Sequence, residues 1–230
     1  MNLLGTYIGA KFPVWTCVLT SKKAPLYTAI LKRFQEEYPS VVPKLIQCDF
    51  EAGLTLAARL VYPLSSIRGC WQHFSGANFK QFKKRGLLPY MQSDAKVRRI
   101  LRKIMTLPIL PASKICEQID RLYHISLKQV MDPEAHVLLV NFFEEYLIPF
   151  WVKKIGPSRL SVFGCPDKTN NATEILHSQM HFNLPHHAKI FTFGHHLQRN
   201  IFESYERKIG QLDNGKRISF YHQKSQELQE

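Results

Sequence analysis

The N-terminal part of the chain alternates short apolar runs with stretches in which apolar residues recur at helical spacing. Runs rich in β-branched and aromatic side chains predict two strands, residues 2–8 and 13–20, joined at residues 9–11. Further elements are predicted in the order helix 25–38, strand 44–50, helix 51–62, strand 66–70 and helix 71–85. Gly86 follows the last of these, where a helix end favours glycine. A hairpin followed by this alternation predicts an α/β fold.

The middle of the chain, residues 93–165, is predicted to be all helical. Ser93 is expected to cap its first helix and Ser113 its second, because serine side chains accept hydrogen bonds from orphan helix amides. Asp132, followed by proline, predicts the start of a third helix over residues 133–152. That helix is apolar over most of its surface, which favours a buried position.

The C-terminal part is more polar. After a loop over residues 166–173, Asn171 is predicted to open a helix that runs to about residue 182. An amphipathic helix over residues 188–209 follows, and then a turn at residues 213–215. The predicted divisions are residues 1–92, a helical insertion 93–165, C-terminal helices 166–210 and a polar tail 211–230.

The chain carries a strong positive charge: 31 Lys and Arg against 18 Asp and Glu give a formal net charge of +13 at pH 7. This favours a polyanionic partner, because each phosphate contact releases condensed counterions. Two basic segments could contact phosphates. They comprise Lys80, Lys83, Lys84 and Arg85 in the first, and Lys96, Arg98, Arg99, Arg102 and Lys103 in the second. Solvated helix faces are the alternative interpretation of both.

Cysteine usage and hydropathy exclude several classes of protein. The five cysteines are odd in number and include no Cys-x-x-Cys pair, which favours a reducing compartment over a disulfide scaffold. No positive charge precedes the apolar N-terminus, so a signal peptide is not expected. No apolar run reaches the roughly 18 residues of a membrane helix.

The first candidate for chemistry is Asp49, which ends the predicted strand 44–50 directly before a predicted helix. An aspartate in this position projects its carboxylate from the C-terminal edge of a sheet, where α/β folds bind ligands. The alternative is structural, since Asp49 could simply cap the helix over residues 51–62.

Cys70 and His73 form a second motif at the start of helix 71–85. A Cys-x-x-His spacing places both side chains on one face of a helical turn, where they could hold zinc. One such pair supplies only half of a tetrahedral site. A buried cysteine beside a half-exposed histidine is the alternative.

The third motif is Thr169 to His177. Asn171 and Glu174 have the spacing of a capping box, which is a structural explanation. In a functional interpretation, Glu174 is a metal-binding carboxylate in the first turn of a helix, with His177 and His181 near the same face. The two interpretations do not exclude each other.

In this order, the motifs resemble the transposase domain of Mutator-like elements (MULE) over roughly residues 5–200. The matching segments are Pro13-Val14, Leu19-Thr20-Ser21-Lys22, Tyr27, Cys48-Asp49-Phe50-Glu51, Gly69-Cys70, His73-Phe74, Leu107-Pro108, Leu110-Pro111, Phe142-Phe143-Glu144 and Thr169 to His177. The combination is specific, although each segment alone is not.

The resemblance implies a ribonuclease-H-like mixed sheet with an all-helical insertion. It also implies an Asp-Asp-Glu triad that holds two Mg²⁺ or Mn²⁺ ions and cuts and joins DNA. Asp49 matches the second aspartate and Glu174 the glutamate, while Cys70 and His73 match a Cys-x-x-His element outside the triad. The residues supporting the glutamate motif are Asn170, Asn171 and His177. DNA is the implied partner and the nucleus the implied compartment; self-association is left open.

The chain departs from the family at its start, because residues 1–35 contain no Asp or Glu. The other aspartates stand in helical or loop contexts: Asp94, Asp120, Asp132, Asp167 and Asp213. We therefore expect an N-terminally truncated core that lacks its first, central strand and is inactive alone. The alternatives are a domesticated, non-catalytic DNA-binding protein and a small zinc-stabilised interaction module that uses Cys70 and His73, with His177 or His181 as a further ligand.

Overall fold

The computed structural model describes residues 1–7, 10–169, 171–181, 184 and 188–216. They are mostly helical and include short strands, so the chain belongs to the mixed α/β class. The strands are β1 (Asn2–Tyr7), β2 (Ala10–Thr16), β3 (Leu45–Gln47) and β4 (Ser66–Arg68). The helices are α1 (Ala24–Glu37), α2 (Ala52–Val61), α3 (Trp71–Lys84), α4 (Leu88–Ser93), α5 (Ala95–Met105), α6 (Ala112–Gln129), α7 (Pro133–Phe142), α8 (Pro157–Leu160), α9 (Asn171–His181), α10 (Ile190–His196) and α11 (Glu203–Asp213).

The strands pair into two small sheets. β1 and β2 are antiparallel, while β3 and β4 are parallel and are connected through α2. The parallel pair runs in register from Leu45 opposite Ser66 to Gln47 opposite Arg68. Because the two strands point the same way, their C-terminal ends meet at one edge of the sheet.

The chain divides into two compact units, which we name here. The central unit is Thr20–Asn170, and the outer unit combines Met1–Leu19 with the chain from Asn171 onward. The β3–α2–β4 segment and the helices that follow it, as far as α8, belong to the central unit.

One large apolar core holds the central unit together. Phe74 and Phe82 of α3 and Ile104 of α5 are fully buried in it, together with Trp151. The ring of Trp151 meets that of Phe74 edge to face, with centroids 4.7 Å apart. Burial of each such side chain contributes about 1.5–3 kcal/mol. Gly86 ends α3 with φ at 75°, as the sequence predicts.

The predicted cap of the first helix after residue 92 is wrong by one residue. Asp94 caps α5, and its Oδ1 accepts hydrogen bonds from the amides of Lys96 at 2.6 Å and Val97 at 3.2 Å. Ser93 instead ends α4, a short helix that the pattern did not predict, and donates its hydroxyl to the carbonyl of Pro89. The carboxylate is the stronger acceptor for orphan amides.

Ser113 is also not a cap, since it lies inside α6, which begins at Ala112. Asp132 does cap α7 as predicted, and its Oδ1 accepts from the amide of Ala135 at 2.8 Å. Beyond α7 the helix continues in π-helical geometry over Phe143–Ile155 and passes through Pro149. Proline has no amide to donate, and the wider turn accommodates this loss.

The outer unit has its own core between the hairpin and helices α9 to α11. Its buried residues are Phe12, Leu176, Met180, Leu197, Ile201 and Tyr205. β2 begins earlier and ends earlier than the predicted strand 13–20, and its pairing with β1 shifts register between Leu3 and Leu4. Pro13, which cannot donate to a ladder, lies opposite Leu4 at this shift.

The predicted helix over residues 188–209 corresponds to an uninterrupted helical run. α10 leads through a π-helical stretch, Leu197–Phe202, into α11. The predicted turn follows, with Gly215 at a φ of 71°. The tail beyond residue 216 lies outside the described residues. No helix in the described part of the chain combines the length and the apolarity that a membrane span requires.

Candidate functional site at the β3–β4 edge

Asp49 lies just beyond the C-terminal end of β3. The hydrogen bonding between β3 and β4 extends to Cys48, the residue before Asp49, whose amide donates to the carbonyl of Arg68 at 3.1 Å. α2 begins at Ala52 with Glu51 in the N-cap position, and the side chain of Glu51 makes no capping hydrogen bond. Asp49 therefore does not occupy the N-cap position of α2. Its side chain is half exposed, at 49%.

His73 meets Asp49 at this edge. Its Nδ1 lies 3.2 Å from Oδ1 of Asp49, and the imidazole is 41% exposed. His73 stands in the first turn of α3, directly after β4, so the parallel pairing of β3 with β4 brings the two side chains together. A carboxylate that accepts from Nδ1 fixes the orientation of the ring and leaves Nε2 for another partner. Two motifs that the sequence presents separately thus form one site.

Cys70 and His73 have different environments. Cys70 is fully buried at the N-cap position of α3, whereas His73 is partly in solvent. This matches the interpretation as a buried cysteine beside a half-exposed histidine. Residues 1–216, apart from those that the structure leaves undescribed, contain no group of three or more His, Cys, Asp or Glu side chains placed to bind a metal ion.

Glu51 is bonded to α1. Its Oε1 accepts the hydroxyl of Tyr27 at 2.8 Å, and its Oε2 lies 3.8 Å from Nζ of Lys22. Burial of Tyr27, together with its hydrogen bond to Glu51 and the charges of Glu51 and Asp49, raises the pKa of Tyr27 to about 12. The phenol therefore stays protonated at neutral pH and acts here as a hydrogen-bond donor.

Arg159 is the residue of this edge that the sequence analysis missed. It lies on α8 and is buried, and its Nη2 donates to the backbone carbonyl of Asp49 at 2.7 Å. Its guanidinium also lies over the ring of Phe50, 5.4 Å from the centroid. Its own carbonyl accepts the amide of Gly69 at 2.8 Å. Arg159 thus joins the ends of β3 and β4.

Burial lowers the pKa of the Arg159 guanidinium, and its bond to the thiol of Cys48 acts in the opposite direction. Burial has the opposite effect on the thiol: it raises the pKa of Cys48, which keeps Cys48 neutral. A buried arginine that contacts one carbonyl, one thiol and one ring holds its neighbours in a fixed geometry. No sequence signal marks Arg159, because its partners are distant in the chain.

Two phenylalanines connect the edge to the core. Phe50 follows Asp49 and Phe74 follows His73, and both rings meet Trp151 with centroids 4.7 Å apart. Gly69 makes room for the first of them, since a Cβ at this position would lie 2.2 Å from the ring of Phe50. The backbone next to both polar side chains is therefore held by packing on one indole.

Glu174 and His177 lie on α9, and both are exposed. They belong to the outer unit and Asp49 to the central unit, so the convergence of Glu174 with Asp49 stays a prediction. Asn171 is the first residue of α9. Asn170 and the side chain of His181 are outside the described residues.

The basic residues predicted to contact nucleic acid fall into two groups. Two arginines are used within the fold: Arg85 donates to Oε2 of Glu145 at 2.7 Å, and Arg98 donates to the carbonyls of Met91 at 2.9 Å and Gln92 at 2.8 Å. The remaining seven are exposed on α3 and α5; they are Lys80, Lys83, Lys84, Lys96, Arg99, Arg102 and Lys103.

The chain was also compared with known proteins. Neither the protein-family models, nor the curated proteins, nor the solved structures gave a match to it.

Proposed function

We propose that this chain is a DNA-binding core of the Mutator-like transposase type, in which Asp49 is one carboxylate of the metal site. The observation that carries the proposal is the contact between Asp49 and His73. It unites the strand-end aspartate and the Cys-x-x-His element, two separate parts of the resemblance, at the edge where α/β folds bind ligands. Such a protein would act on DNA in the nucleus.

A ribonuclease-H-like sheet is part of the same proposal. It is supported by a parallel pair, β3 and β4, with a carboxylate at its C-terminal edge, and by an antiparallel pair, β1 and β2. The two pairs are separate sheets in the described residues, and it is the proposal that joins them in one mixed sheet. In the proposal, the long run of helices from α4 to α8 is the helical insertion.

A divalent ion at this edge would take Asp49 as a ligand, because Mg²⁺ and Mn²⁺ prefer carboxylate oxygens. Glu51 is the nearest acidic residue in sequence, and it is bonded to Tyr27 and lies near Lys22. The surroundings of Asp49 in the central unit therefore do not fit a two-metal centre by themselves. In the proposal, Glu174 supplies a second carboxylate.

The test measures metal at the edge and DNA on the surface separately. Mn²⁺ bound to Asp49 should broaden the imidazole NMR signals of His73, because a paramagnetic ion would lie within a few ångströms of the ring. Asp49→Asn should remove this broadening, and Asp120→Asn, which changes an exposed aspartate on α6, should leave it. Linear duplex DNA should bind with an affinity that falls as salt rises. A wild-type protein that binds no duplex, or whose His73 signals are unaffected by Mn²⁺, contradicts the proposal.

A second candidate is a DNA-binding protein that does not cleave. The observation that favours it is that Glu51, the nearest acidic residue in sequence, is bonded to Tyr27 and lies near Lys22. Salt-sensitive binding that is unchanged in Asp49→Ala and in Glu174→Ala supports this candidate. Magnesium-dependent nicking of supercoiled plasmid that both changes abolish excludes it and assigns the two carboxylates to catalysis.

A further inference from the structure

α5 presents a face of positive charge to solvent. Lys96, Arg99, Arg102 and Lys103 are all exposed, and the helix contains no acidic residue. Their spacing places them within about two turns, along roughly 10 Å of the helix axis. In the part of the chain that the structure describes, none of the four takes part in an ion pair. We call these four residues the α5 basic face.

The backbone beneath this face is firmly anchored. The opposite side of α5 packs Val97, Ile100, Leu101 and Ile104 into the core, each with 2% exposure or less. The start of the helix is capped by Asp94, and at its end the carbonyl of Met105 accepts Nε1 of Trp71 at 2.7 Å. The cations are therefore presented by a rigid element, which lowers the entropy lost when a partner binds.

We propose that the α5 basic face binds the sugar-phosphate backbone of duplex DNA. The inference rests on the proposed function and names the surface that holds the substrate. A shallow depression runs along the face, lined by Ala95, Arg98, Arg99, Arg102, Lys103 and Thr106. The small side chains Ala95 and Thr106 at its two ends leave room for a backbone to approach. Arg98 also lines the depression, but its Nε and Nη2 donate to carbonyls at the end of α4, so we do not count it in the α5 basic face.

Two other polyanions, an anionic membrane surface and single-stranded nucleic acid, fit the face less well. A membrane-surface helix inserts an apolar face between lipids, but the apolar side chains at the centre of α5 are all buried in the core. Proteins that hold single-stranded nucleic acid stack its bases on aromatic rings, and α5 contains no aromatic residue. A run of cations without rings or exposed apolar side chains fits the outer surface of a duplex, where phosphates dominate the contact.

The test compares two triple variants of the full chain in binding to a short duplex, with EDTA present so that the metal site has no part. Arg99→Gln, Arg102→Gln and Lys103→Gln together should weaken binding at low salt by roughly 10- to 100-fold. They should also reduce the slope of log K against log salt by about 2 to 3, since each lost phosphate contact removes about 0.9. The matched control combines Lys32→Gln, Lys44→Gln and Lys128→Gln, which removes the same charge from exposed positions elsewhere.

Each result decides between the two proposals. If the wild-type chain and both variants bind duplex equally, the α5 basic face is not the surface, while the proposed function stands. If both variants lose affinity equally, net charge alone accounts for binding, and the inference is overturned. The wild-type chain could also bind vesicles of anionic lipid, or single-stranded DNA, more tightly than duplex, and the α5 variant could lose that binding. This result would overturn the inference, because the face would then bind that partner instead of duplex DNA. A wild-type chain that binds no duplex overturns both proposals.

Discussion

Arg159 donates a hydrogen bond from Nη2 to the main-chain carbonyl of Asp49 across 110 positions of sequence. The buried guanidinium fixes the main chain at the end of β3. Arg159→Ala removes this bond and the contact with Phe50, and should lower the free energy of unfolding by about 2–4 kcal/mol. Urea denaturation measures the change. Arg121→Ala, at an exposed position on α6, should change it by less than about 0.5 kcal/mol; equal effects of the two would contradict the role of Arg159.

Gly69→Ala should destabilise the protein because the new methyl group collides with the ring of Phe50. The ring is held by Trp151, so it cannot move aside without loss of packing. We expect a loss of about 1–3 kcal/mol in thermal or urea unfolding. Gly76→Ala is the control, since a methyl group there meets no atom within 4 Å and the residue lies inside α3. It should stabilise by about 0.5–1 kcal/mol, and a loss at Gly76 as large as at Gly69 would remove the steric explanation.

The helix caps provide a paired comparison. Asp94→Ala should cost about 1 kcal/mol, because the amides of Lys96 and Val97 lose their acceptor. Ser93→Ala, one residue earlier, should cost much less, since its hydroxyl only donates to a carbonyl of α4. Chemical denaturation of both variants distinguishes the cap that the structure has from the one that the sequence predicts. A larger loss of unfolding free energy in Ser93→Ala than in Asp94→Ala would identify Ser93 as the cap.

Because of Tyr27, the free energy of unfolding should fall as the pH rises above 10. Its pKa is raised from 10.0 to about 12, so the folded state keeps a proton that the unfolded chain releases first. The stabilisation is complete below pH 10 and should be lost as pH rises from 10 towards 12. In Tyr27→Phe the free energy of unfolding should fall less steeply over this interval than in the wild type. In Glu51→Gln, tyrosinate absorbance should report a lower pKa for Tyr27; an unchanged titration would show that Glu51 plays no part.

The sequence predicts most of the local structure well. Helical spacing of apolar residues places α1, α3 and α9 close to their observed bounds, and Asp132 is correctly identified as a cap. Such features depend on neighbours within about one turn, so the pattern contains them. Ser93 and Asp94 show where this ends, because adjacent polar residues are both good caps and only the tertiary position of α4 decides between them.

The candidate site is predictable only in part. Asp49 and His73 are recognisable from their positions at strand and helix ends, and their contact follows from the parallel pairing of β3 with β4. Arg159 is not recognisable, because it reaches the edge from a distant helix and belongs to no motif. Tyr27 belongs to a matching segment, but nothing in the sequence indicates its bond to Glu51. Local pattern identifies the polar residues of this edge, and long-range packing selects the residues that hold them.

Trp151 touches both phenylalanines that follow the polar pair, one after Asp49 and the other after His73. The helical segment that carries this indole is therefore part of the support of the β3–β4 edge. A smaller side chain at position 151 would loosen both rings at once and with them the spacing of Asp49 and His73.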